Sequence, residues 1–236
     1  PVTSPMSNKD ELYGDSRGVT ETEHRWARSV NGTMAQFAKE TRWDIAMEVN
    51  RIAQTMESPT QGTIAALKRV MAYLAGTASN CLMVPVTNAN VWHSYVDSDH
   101  AGDRFTRCSQ TGIILYCNSA PINWYSKRQA TVESSTFGSE FVAMKQCCEY
   151  LRGLRYKLRM MGIPVDGPAY IYGDNQSVLA NTTIPDSTLK KKSQSIAYHF
   201  VREGAAKDEW RTAYINTKDN PSDLLTKPLG SGELRK

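Results

Sequence analysis

The spacing of apolar residues changes once along the chain, near Thr77, and this change constrains the fold more than any overall composition. Before it the period is helical. "WDIAMEVNRIAQTM" puts Ile45, Val49, Ile52 and Met56 on one face, and "QGTIAALKRVMAYLAGT" does the same with Ile64, Leu67, Val70, Met71 and Leu74, with Gly76 as a stop. "HRWARSVNGTMAQFA" is an earlier helical segment interrupted by Gly32. After Thr77 the apolar runs are short: "CLMVPV", "VWHSYVD", "TGIILYCN" and "PINWYSK" read as strands, the last two joined through "NSAP" as a hairpin. A long helix follows from about Ser135 to Met161. Its stripe is Phe141, Met144, Cys148, Leu151 and Leu158, broken by Arg155. Then come the strand "AYIYG", helices in "DNQSVLANT" and "LKKKSQSIAYHFVREGAA", the strand "EWRTAYIN", and a short terminal helix in "NPSDLLTKPL". Antiparallel strands followed by helical crossovers predict an α/β fold with a mixed sheet covered on at least one face, preceded by a small helical region. The expected divisions are a flexible leader at 1–20, a helical region at 21–77, the α/β domain at 78–230 and a tail at 231–236.

With 40% hydrophobic and 22% charged residues, the chain can bury a real core. A formal charge of +4 permits a nucleic-acid partner without requiring one. Five cysteines with no C-x-x-C pair, and four histidines, argue against a zinc site or a disulfide framework and fit a reducing compartment. No apolar run approaches the roughly 18 residues of a membrane span, and no secretory signal is visible. A "YxDD" pair is absent, so polymerase palm chemistry is not expected in this chain.

Four acids fall at element edges. Asp97 ends "SYVD", Glu140 lies in the first turns of the long helix, Asp174 follows "YIYG", and Asp223 opens the last helix. Ligands of open α/β sheets bind beyond the carboxyl ends of strands, so these positions can converge. Packed together they would repel, and divalent cations would relieve that; oxygen ligands suit Mg²⁺ or Mn²⁺. Each acid alone also has a structural role open to it. Asp97 could form a turn, with Asp99 and Asp103 competing for any metal. Glu140 suits a helix dipole, Asp174 is a natural N-cap, and Asp223 could simply follow the Asn220–Pro221 start.

The stretch "SYVDSDHAGDRFTRCSQTGIILYCNSAPINWYSKRQATVESSTFGSEFVAMK", with "IYGDNQSVL" and "AYHFVREGAAKDEWRTAYINTKDNPSDLLTKPL", closely resembles the ribonuclease H region of copia-type long-terminal-repeat retrotransposon Pol polyproteins. "RSVNGTMAQFAKETRWDIAMEVNRIAQTMESPTQGTIAALKRVMAYLAGT" resembles the segment joining the reverse transcriptase to that region, so the likeness covers about residues 25 to 230. It implies a ribonuclease H-like fold, a five-stranded mixed sheet flanked by helices. Asp97, Glu140, Asp174 and Asp223 would hold two Mg²⁺ ions, with Mn²⁺ as an alternative. Four departures from the family pattern stand out. Gly138 occupies the place of a first acid in the long-helix block, leaving Glu140 and Glu133. Gln194 or Ser195 replaces a histidine, although His199 matches. Trp43 stands where proline is common. The loop "NTKDNPSD" lacks the histidine of cellular ribonucleases H and offers Asn216 or Lys218.

The implied reaction is hydrolysis of the RNA strand of an RNA–DNA hybrid during reverse transcription, leaving 5′-phosphates. Two metals about 3.5 to 4 Å apart would flank the phosphate, Asp97 bridging them. RNA would be told from DNA by its 2′-hydroxyl. The residues expected at the nucleic acid are Ser135, Thr136, Asn175, Gln176, Ser177, Lys190, Lys191, Lys192 and His199, with helix capping as the alternative role for the first five. Arg152, Arg155, Lys157 and Arg159 read as either a solvated face or a phosphate track. Trp124 and Tyr125 read as core or as stacking platforms, with at least one in the core. The implied partners are the hybrid and an upstream reverse transcriptase domain of the same polyprotein, without a membrane. The implied location is the cytoplasm, in retrotransposon particles, or the nucleus. The competing reading is a hybrid-binding or scaffolding module that does not cleave.

Overall fold

The computed structural model describes residues 2–8, 11–86, 90–184 and 194–228. The chain divides into two compact units, Met83–Asp223 and the remainder, Pro1–Leu82 with Leu224–Lys236.

The helical unit contains α1 (Glu21–Glu40), α2 (Ala46–Gln54) and α3 (Gln61–Gly76). Two of these begin at capping boxes. Thr20 accepts a hydrogen bond from the Glu23 backbone N–H while Glu23 accepts from the Thr20 N–H, and Thr60 and Thr63 do the same for α3. α1 runs unbroken through Gly32, contrary to the expected interruption. Ile45, Val49, Ile52, Ile64, Leu67 and Val70 form the core, whereas Met71 lies off the stripe and is exposed, its place taken by Tyr73. The expected leader is not loose. Met6 and Leu12 are fully buried in this core, and a short 3-10 turn forms at Glu11–Tyr13. Isolated apolar residues in a polar stretch carry no period, so no local pattern signals this packing.

The second unit is a five-stranded sheet: β1 (Trp92–Ser98), β2 (Gln110–Cys117), β3 (Ala120–Arg128), β4 (Ala169–Gly173) and β5 (Trp210–Tyr214), in the order β3-β2-β1-β4-β5. β1, β2 and β3 pair antiparallel, while β4 runs parallel to β1 and β5 to β4. The expected hairpin forms, with Asn118 supplying a positive φ at the turn. The helices α4 (Thr136–Met160), α5 (Gln176–Thr183) and α6 (Ser195–Ala206) supply the crossovers. This is the ribonuclease H-like fold, a mixed sheet with flanking helices. "CLMVPV" forms no strand, and Met83, Val84 and Val86 are exposed. Its β-prone residues lack a neighbouring strand, and Pro85 has no N–H to give one.

One face of the sheet and the inner stripe of α4 make the core. Val96, Ile113, Leu115 and Ile171 meet Phe141, Met144 and Leu151, and Tyr125 packs at the edge as expected. Arg155 breaks the stripe for a structural reason. It is buried, and its guanidinium donates to the Gly167 carbonyl at 2.9 Å, tying the chain entering β4 to α4. Burial depresses its pKa, and the nearby Arg159 charge adds to this. Arg152 also turns inward, bonding Glu209 at 2.7 Å and lying over the Phe200 and Trp210 rings. The run "RGLRYKLR" is therefore not a continuous phosphate track, since two of its cations are committed to the fold. The opposite face carries a cluster of rings: His93 stacks on Tyr116 and Tyr95 on Tyr172.

Candidate metal centre

Parallel pairing brings two of the acids together. Tyr95 in β1 is level with Tyr172 in β4. Asp97 and Asp174 each lie two residues further along. Because side chains alternate across a strand, both carboxylates lean to the same face at the same sheet edge. Asp97 stands opposite Gly112 of β2, which has no side chain to crowd it, and it is only 1% exposed. Asp174, just beyond β4, is half-buried and accepts a hydrogen bond of 2.8 Å from the Thr217 hydroxyl.

The third acid arrives from the C-terminal side. After β5 the chain makes two short 3-10 segments, Thr217–Asp219 and Pro221–Leu225, the second being the expected short terminal helix. Asp223 sits in that second turn and is half-buried. Asn220, itself buried, fixes the turn. Its side-chain amide donates to the Val96 carbonyl at 3.2 Å, and its side-chain oxygen accepts from the Ser222 N–H at 3.2 Å and the Ser222 hydroxyl at 2.6 Å. The carboxylates of Asp97, Asp174 and Asp223 thus offer oxygens that all lie within 4.8 Å of one another. Three hard oxygen donors around one point, one of them rigidly buried, fit Mg²⁺ or Mn²⁺ by donor chemistry.

Glu140 does not join this set. It lies in the second turn of α4, nine-tenths buried. That part of α4 is held to the sheet by Gln129, whose amide donates to the Ser139 carbonyl at 2.9 Å and the Thr111 hydroxyl at 3.1 Å. At Gly138 a Cβ would sit 2.5 Å from a Glu133 carboxylate oxygen, so Glu133 leans over the place where the family pattern has a further acid. The competition from Asp99 and Asp103 is resolved by their own bonds. Asp99 is buried and accepts from the Gln110 N–H at 2.6 Å. Asp103 accepts from the Phe105 and Thr106 N–H groups and bonds Arg128 at 3.0 Å. Burial opposes ionisation of Asp103, but these donors outweigh it and hold its pKa below the usual carboxylate range.

The other expected residues scatter. Ser135 caps α4, accepting from the Gly138 N–H, and Thr136 opens that helix. Asn175 caps α5, accepting from the Val178 N–H at 3.1 Å, while Gln176 and Ser177 are exposed on its first turn, next to Asp174. His199 is exposed on α6, edge-on to Tyr198, and is not one of the clustered acid ligands. Lys190, Lys191 and Lys192 lie outside the described residues. Asn220 and Thr217 were missed as site residues. The Asn-Pro pair marked a turn, but its bond to Val96 spans 124 positions and has no local signature.

No family model matches the chain. It is 34% identical over 231 residues to the retrovirus-related Pol polyprotein from transposon RE1 of Arabidopsis thaliana, covering 97% of this chain and 16% of that protein. It is 30% identical over 232 residues to the polyprotein from transposon TNT 1-94 of Nicotiana tabacum, covering 96% of this chain and 17% of the relative. The chain therefore spans about a sixth of the length of these curated relatives. Among solved structures it is similar in fold to a foamy viral protease-reverse transcriptase. The complex with double-stranded DNA matches with a TM-score of 0.52 at 11% identity, over 89% of this chain and 41% of that one. The complex with an RNA/DNA hybrid matches with a TM-score of 0.50 at 11% identity, over 89% and 26%.

Proposed function

We propose that this chain, which belongs among the retrovirus-related Pol polyproteins of transposons, hydrolyses the RNA strand of RNA–DNA hybrids with divalent metal at its acid cluster. One observation carries the reading: the oxygens of Asp97, Asp174 and Asp223 lie within 4.8 Å of one another at one edge of a ribonuclease H-like sheet. A structural role explains such a set poorly, because adjacent carboxylates repel. Bound there, Mg²⁺ or Mn²⁺ would neutralise that repulsion and supply charge stabilisation at a phosphodiester.

The division of labour among the protein groups follows from burial. Asp97, closed off from water near the end of the central strand β1, provides a fixed oxygen. Asp174 and Asp223, half-buried, keep part of their surface open to an incoming phosphate. Asn175, Gln176 and Ser177 adjoin Asp174 and would meet the sugar edge of a bound strand. The foamy viral relative in fold has been captured with an RNA/DNA hybrid, which supports a hybrid as the ligand class. An upstream reverse transcriptase of the same polyprotein would be the natural partner, and the cytoplasm, in retrotransposon particles, or the nucleus the place of work.

The test is cleavage of an end-labelled hybrid in Mg²⁺ and in Mn²⁺ at low salt, with D97N and chelator as controls. RNA-strand cuts that vanish in both controls would support the reading, and intact RNA beside measurable hybrid binding would overturn it. The competing reading is a module that binds hybrid without cutting it. The same experiment separates the two.

A further inference from the structure

Resting on the metal-centre reading, we infer that Asn220 is a positioning residue, which sets the distance between Asp223 and Asp97. Asp97 and Asp174 need no such device, since the β1–β4 pairing fixes them. Asp223 has no strand beneath it. It rides on a 3-10 turn of five residues, Pro221–Leu225, too short to hold its own direction. A side-chain bond joins this turn to β1: the Asn220 amide donates to the Val96 carbonyl, one residue before Asp97. The other end of the same side chain receives both the N–H and the hydroxyl of Ser222, one residue before Asp223. A single buried amide therefore bridges the neighbours of two clustered acids. Burial makes the bridge stiff, because neither end can exchange its partner for water. Groups that orient metal ligands without touching the ion commonly change affinity 10- to 100-fold when removed.

The experiment uses the full chain and Mn²⁺ alone as probe, titrated by electron paramagnetic resonance, with D97N as the reference for a lost site. Two variants keep the local turn. Asn220→Asp retains an acceptor for Ser222 but lacks the donor for Val96, and Asn220→Ser can cap the turn but is too short to cross to β1. Denaturant melts in chelator establish that each folds. We expect Mn²⁺ affinity to fall about tenfold or more in both variants, and kcat on the hybrid to fall with KM unchanged. The added negative charge of Asn220→Asp would by itself strengthen cation binding, so a loss there reports geometry. Folded variants that bind Mn²⁺ like the parent would overturn the assignment. A parent chain that binds no Mn²⁺ would overturn it together with the hydrolase reading, whereas a parent that binds but does not cut would leave the affinity comparison as its judge.

Discussion

Replacing Asp97 by Asn should abolish metal-linked stability and, without metal, leave the fold about as stable as the parent. The acid oxygens lie within 4.8 Å of one another. Two unit charges at that separation repel by about 3.5 kcal/mol at an effective dielectric of about 20, and by about 0.9 kcal/mol in bulk water. Asp97 takes part in two such pairs, so neutralising it relieves between about 2 and 7 kcal/mol of gross repulsion. The lower end applies here, because Asp174 and Asp223 are partly in solvent. Loss of carboxylate hydrogen bonding returns about 1.5–3 kcal/mol, so the two terms nearly cancel and the variant should match the parent within about 1 kcal/mol. The parent should instead gain about 2.7 kcal/mol from Mg²⁺ at a hundred times its dissociation constant, and the variant almost none. The assay is urea unfolding of both proteins in chelator and in saturating Mg²⁺. A variant less stable than the parent in chelator by clearly more than about 1 kcal/mol, combined with a parent indifferent to Mg²⁺, would show that the three acids are held by internal hydrogen bonds and are not a metal site.

Three further outcomes follow from particular contacts. Thr217→Val removes the hydroxyl that bonds Asp174 at 2.8 Å and should lower hybrid cleavage a few-fold, while Thr217→Ser restores it; equal rates for both would dismiss that bond, which is exposed to water. Gly204→Ala should destabilise the sheet-bearing unit by about 1–3 kcal/mol, read by urea unfolding, because the new Cβ would lie 2.0 Å from the buried Trp210 ring; unchanged stability would mean the indole can shift. Burial raises the Cys147 thiol to about 12 and the Cys148 thiol well above its usual 9.0. Their folded pKa values exceed the unfolded ones, so the native state holds more protons above pH 9. Stability should therefore fall as pH rises beyond that point, by up to about 1.4 kcal/mol per pH unit per thiol, and Cys147→Ala with Cys148→Ala should flatten the slope in urea melts at pH 8 to 10.

The local chemistry of the sequence determined the secondary structure of most of the chain. Apolar spacing placed α2, α3 and α4 and all five strands, because each buries one face and that requirement is written every two or every three to four residues. It also marked Asp97, Asp174 and Asp223, since strand ends and helix starts are visible as breaks in that pattern. Tertiary structure alone decided which of those acids come together. Asp97, Asp99 and Asp103 look alike on the page; Gln110 occupies the second and Arg128 with the Thr106 turn the third, leaving the first for the cluster. Arg155 read as a flaw in a helix and proved to be an anchor for Gly167. The strand expected at "CLMVPV" did not form, and Met6 and Leu12 were buried where a loose leader was expected. Asn220 reaches Val96 across 124 positions. The physical reason is common to all of these. Periodicity records whether a side chain faces inward, but hydrogen-bond partners distant in the chain depend on which strands lie side by side, and no local pattern encodes that order.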